Sequence, residues 1–103
     1  MISLEEYTNI LKRYGVKVKN ENWMVVIGEI EGEMICSYSL DVKEKSVLLW
    51  PDIGYEGKFK AFATTCDLYE DVEKFEKAIK ELVQKYKLMH IQQKMEKMEK
   101  DFV

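Results

Sequence analysis

Two cysteines, one histidine and three alternating glutamates are the side chains of this chain whose chemistry could serve a reaction. Cys66 stands directly before Asp67, where the sequence predicts a helix to begin. A thiol beside a helix N-terminus ionises more easily and becomes a nucleophile, which makes Cys66 the candidate centre of a small thiol enzyme. Cys36 falls within a strand pattern and has no such neighbourhood. The plainer reading of both is a pair of reduced, buried thiols in a reducing compartment. His90 lies in a helical stretch with no second ligand at the spacing of H-E-x-x-H, so it reads as a solvent-facing or interface histidine, and no metal is predicted.

Glu29, Glu31 and Glu33 flank a predicted hairpin. Paired carboxylates can serve glycoside or metal chemistry. Here no second group accompanies them, and a solvated hairpin is the simpler reading. The loop from Asp52 to Gly57 carries Asp52, Tyr55 and Glu56 but has neither EF-hand spacing nor the lysine of a phosphate-binding loop. It reads as a connection, with Tyr55 as a candidate partner contact. Lys17, Lys19, Lys58 and Lys60 could form a basic strip interleaved with Phe59 and Phe62 if their strands are neighbours. That pattern would suit a single-stranded nucleic acid, and it is the alternative function. No catalytic constellation, cofactor motif or metal set emerges, so the chain reads as a non-enzyme.

These residues must be positioned by a chain of 103 residues, a length suited to one domain. At 47% hydrophobic it can bury a core, and at 34% charged it should dissolve. There is no apolar run near the length of a membrane span and no signal-peptide pattern, which predicts a cytoplasmic protein without membrane contact. A net charge of -3 disfavours a dedicated nucleic-acid binder. The basic residues are lysines apart from Arg13, a bias of AT-rich genomes such as those of low-GC bacteria and their phages.

Ser3 to Tyr14 reads as a helix with a Ser3–Glu6 capping box, Gly15 just past its end, and Leu4, Tyr7, Leu11 and Tyr14 on its inner face beside Ile10. Val16 to Lys19 is a short strand at an edge. Trp23 to Glu31 and Glu33 to Asp41 alternate in polarity about a turn at Gly32, so they form a hairpin with one buried and one wet face. Lys43 to Lys45 is a further turn. Ser46 to Trp50 and Lys58 to Thr65 complete an antiparallel meander of four to five strands, with Ala61 and Ala63 facing a helix. Trp23, Val25 and Ile27 lie on the wet face, and the first helix is expected to cover them, giving three layers. The fold class is α+β: an N-terminal helix, this sheet, and a long C-terminal helix.

From Asp67 to Val103 the chain has no Gly, Pro, Ser, Thr or Asn, and nothing local stops a helix. Asp67 reads as its N-cap, with Glu70 closing a capping box. Leu68, Val72, Phe75, Ile79, Leu82, Tyr86 and Met89 form one stripe at steps of three and four, widened by Ala78 and Val83. Leu88, Ile91, Met95, Met98 and Phe102 form a second, rotated by about 100° because the first stripe is interrupted at Gln93. A straight helix from Leu68 onward reaches about 50 Å, against a diameter of about 34 Å for a compact domain of this size. The helix must overhang the sheet or bend near Lys87 to His90. The chain therefore reads as a single domain over 1–103 with 88–103 as a protruding helical extension. Its expected role is protein binding: self-association as a homodimer or higher, or docking on a larger protein, through Leu88, Ile91, Met95, Met98 and Phe102. An inhibitor of a host protein, carried by a phage or mobile element, is one form this could take.

Overall fold

Ser3 opens the first helix as its spacing requires: its hydroxyl accepts from the Glu6 amide at 3.1 Å, and the Glu6 carboxylate accepts from the Ser3 amide at 3.2 Å. The computed structural model describes residues 1–41, 46–62 and 66–101, with α2 as backbone alone beyond Gln92. In it α1 spans Leu4–Arg13 and ends at Tyr14, and Gly15 takes a φ of 76°, the left-handed geometry of a helix stop. The elements that follow are β1 (Lys17–Asn20), β2 (Val25–Ile30), β3 (Glu33–Ser39), β4 (Val47–Leu49), β5 (Ile53–Tyr55), β6 (Phe59–Ala61), β7 (Asp67–Tyr69) and α2 (Val72–Asp101). No helix among the described residues is long and apolar enough to cross a membrane.

The sheet is antiparallel, five strands in the order β1-β2-β3-β4-β7, and β5 pairs β6 in a separate two-stranded hairpin. The turn from β2 to β3 places Glu31 at φ 51° and Gly32 at φ 82°, the doubly left-handed pair that matches the twist of a tight hairpin. The register shifts by one between Gly28 and Glu29, leaving Ile35 without a partner in the ladder. This bulge turns Ile35 and Cys36 inward together, both fully buried.

Several expectations are corrected. Asp67 does not cap a helix. Asp67–Tyr69 is the fifth strand, pairing Leu49, Leu48 and Val47 on β4, and the open edge of β4 satisfies the backbone of these residues before a helix can. Asp71 takes the capping role, its Oδ1 accepting from the Lys74 amide at 3.1 Å. Leu68 accordingly leaves the helical stripe and is 57% exposed. Among the described residues, the strand expected over Lys58 to Thr65 is β6, turned back on β5 across Gly57 at φ 76°; the expected loop is half of that hairpin. Ala63 and Thr65, like the turn at Lys43 to Lys45, lie outside the described residues.

Both helices pack on one face of the sheet. Tyr7 stacks on Tyr38 at 5.2 Å and on Phe75 at 5.8 Å, joining α1, β3 and α2, and its hydroxyl donates to the Val26 carbonyl at 3.1 Å. The molecule thus has two layers, and α1 does not cover the face that carries Val25 and Ile27. Within α1, Leu4 is 38% exposed; Ile2, before the helix, fills the core in its place, its carbonyl accepting from the Tyr38 hydroxyl at 2.8 Å. Phe75, Ile79, Leu82 and Val83 are buried, as the first stripe of α2 requires.

Candidate interaction surface

Helix α2 is one continuous element through Lys87 to His90, so the alternative of a break there does not apply. Its 30 residues correspond to about 45 Å of helix, and the molecule measures 57 × 25 × 23 Å. Among its described side chains, Tyr86 and Met89 are the last packed against the core. Leu88 is 63% exposed and Ile91 54%, on the side turned away from Met89. These two are the described members of the second stripe; the side chains of Met95 and Met98, and Phe102 altogether, lie outside the described residues.

The last core-bound turn of α2 is held by a cluster that sequence reasoning did not assemble. The Tyr55 hydroxyl donates to Glu31 Oε2 at 3.4 Å and lies 3.3 Å from His90 Nδ1. Tyr86 stacks on His90 at 5.9 Å and meets the edge of Phe59 at 5.0 Å. Burial first, then Glu31 and Tyr55, push the Tyr86 hydroxyl up to about 12. Burial and Glu31 likewise raise Tyr55. Three segments far apart in the chain converge here, the β2–β3 turn, the β5–β6 hairpin and α2, so no local spacing could have announced the cluster. Tyr55, expected as a partner contact, is half-buried and serves as an internal tie between the hairpin and α2.

Of the acidic trio only Glu31, in the turn itself, is exposed as a solvated hairpin requires. Glu29 is 8% exposed, with Lys19 Nζ 3.6 Å away; Glu33 Oε2 accepts from the Ala61 amide at 3.5 Å, tying the small hairpin to β3. The lysines are not brought together. Lys17 and Lys19 lie on β1 at one edge of the large sheet, whereas Lys60 is on β6 and Lys58 in the turn before it, in the other sheet. Lys60 is paired with Glu56 at 3.3 Å.

The thiols are also apart. Cys36 is buried on β3, with Tyr7 Oη 3.4 Å from its sulfur, and burial pushes it up to about 12. Cys66 is exposed ahead of β7, and α2 begins only at Val72, so the helix N-terminus that would activate this thiol is not beside it. Strand β4 separates β3 from β7, and both cysteines are free. Among the described residues no group of three His, Cys, Asp or Glu side chains could hold a metal ion.

An open groove of about 590 Å³ runs between the end of α1, the turn end of β2 and α2, lined among others by Lys12, Lys17, Glu29, Glu31, Tyr86 and Lys87. Its charges are of both signs, with Arg13 held by Glu76 at its margin. It contains no nucleophile set against a base. What distinguishes the surface chemically is therefore apolar side chain left in water, on α2 and on the sheet. No protein-family model, no curated protein and no solved structure matches this chain.

Proposed function

We propose that this protein is a non-enzymatic interaction module that self-associates or docks on a larger protein through the outer face of its C-terminal helix. The observation that carries this reading is the exposure of Leu88 and Ile91 on a helix that continues to Asp101, beyond Met89, the last of its described side chains packed on the core. Met95, Met98 and Phe102 follow at the same helical spacing. Apolar side chains aligned on one face and left in water mark interaction sites. Five such residues contribute roughly 8–15 kcal/mol gross on burial. Association costs about 4–15 kcal/mol, so the face supports a contact of modest strength. The methionines suit it, because an unbranched side chain adapts to the partner's relief.

The test is the full-length double variant Leu88→Glu, Ile91→Glu. Both positions are exposed, so its circular dichroism matches the wild type. Light scattering should give a smaller mass than the wild-type chain, or the variant should lose a target protein that the wild type binds. An unchanged mass together with unchanged target binding refutes the reading.

A further inference from the structure

The outer face of α2 changes character along its length. Over the sheet it presents Lys77, Lys80 and Gln84, all exposed. From the next turn onward the same face is apolar. Leu88 and Ile91 are exposed there, and positions 95 and 98, both methionine, continue the spacing on a helix unbroken to Asp101. These steps put Leu88 and Met95 at one seam position of a heptad, and Ile91 and Met98 at the other.

The positions flanking this stripe are charged in blocks. Near its start stand Lys85 and Lys87, both exposed, and neither enters an ion pair among the described residues. Lys85 borders a small pocket with Leu49 and Tyr69, whereas Lys87 borders the groove at the end of α1, so the two lie on opposite flanks of the helix. Two heptads further on, hence at the equivalent flanking positions, the chain has Glu99 and Asp101. The stripe is therefore basic on both flanks at one end and acidic on both at the other.

We propose that this stripe packs antiparallel on the stripe of a second copy of the chain, about a two-fold axis at residue 93, midway between Leu88 and Met98. The proposal rests on the outer face of α2 being a contact surface, and it names the occupant. The axis sets Leu88 against the partner's Met98 and Ile91 against the partner's Met95. It also brings Lys85 to the partner's Glu99 and Lys87 to the partner's Asp101, each twice by symmetry. One like pair remains, Lys94 with its own counterpart at the axis. A parallel pair is poorer in charge. It sets Lys87 against Gln92 and Lys80 against Lys85, and gains only Lys94 with Glu99. Its seam would also run back through Gln84 to Glu81, laying each on its own copy. The ends of the stripe thus match the reversed stripe of the same chain, which selects a second copy, head to tail, as the occupant.

The test is light scattering of the full-length chain over a concentration series. The wild type is expected to dimerise, and Leu88→Glu with Ile91→Glu to abolish the dimer. Lys85→Glu with Lys87→Glu, at exposed positions, should leave circular dichroism unchanged and weaken the dimer about tenfold. Adding Glu99→Lys and Asp101→Lys in the same chain should restore it, which a parallel pair cannot do because position 99 would then oppose Lys94. A monomeric wild type overturns the proposal while leaving open the docking of this face on a larger protein, which is read separately by loss of a target. A dimer indifferent to Leu88→Glu with Ile91→Glu overturns it together with self-association through α2. A dimer that this double variant abolishes, but that ignores the lysine reversal or is not restored by the second reversal, overturns the antiparallel pairing alone.

Discussion

Gly28 sits where β2, β3, α1 and the segment leading into β1 converge. A Cβ there would lie 2.6 Å from Cys36 Sγ, 3.0 Å from Leu11 Cδ1 and 3.2 Å from Val16 Cγ1. Gly28→Ala should therefore cost about 1–3 kcal/mol, seen as a lower urea midpoint. Its neighbour Cys36 makes a prediction in pH. Burial raises this thiol from 9.0 to about 12 against the opposing pull of its hydrogen bonds, so the folded chain holds the proton more tightly than the unfolded one. Stability is then complete below the unfolded value and declines as pH climbs from 9.0 toward about 12. The melting temperature should be level from neutral pH to about 9 and fall above it, and Cys36→Ala should delay the fall until the tyrosines titrate, near 10. Thiol labelling of the native protein should modify Cys66 at once and Cys36 only with denaturant. The sequence set Cys66 apart by a helix start that is not beside it; the difference that matters, burial of Cys36 and exposure of Cys66, comes from which neighbours the sheet supplies.

Among the elements, α1 was legible almost completely because every signal in it is local: Ser3 and Glu6 cap it, and Gly15 stops it. The start of α2 was not. Asp67-Leu68-Tyr69-Glu70 satisfies the same local rules as Asp71-Val72-Glu73-Lys74, and the choice falls to the vacant edge of β4, far away in sequence. Asp71→Ala should accordingly cost about 1 kcal/mol by thermal denaturation, and Asp67→Ala much less, because only Asp71 accepts from an α2 amide. The β5–β6 hairpin was hidden for a similar reason. Each strand is three residues long, too short for alternation to register, and it is held by Phe59 against Tyr86 and by Tyr55 against Glu31 and His90. Tyr55→Phe should leave the melting temperature nearly unchanged while amide exchange quickens in the turn of α2 around His90.

For the whole molecule, the layer that joins its parts is aromatic: Tyr7 against Tyr38, and Phe75 against Tyr7 and Tyr69. Phe75→Ala should cost about 3–5 kcal/mol, a large share of the roughly 5–15 kcal/mol typical of a domain. Leu68→Ala, from the same apparent helical stripe, should cost under about 1 kcal/mol, because Leu68 is on the outer face of β7. Denaturant titration of the two variants side by side checks the contrast. The α+β class, the first helix, the β2–β3 hairpin and the buried stripe of the long helix were determined by the sequence alone, since periodicity and capping act over a few residues and need no partner. Which side of the sheet the helices cover, where the fifth strand comes from, and which acids and lysines meet were decided only in three dimensions. Those outcomes depend on competition between segments far apart in the chain for the same open edge and the same apolar face, and spacing along the chain carries no record of it.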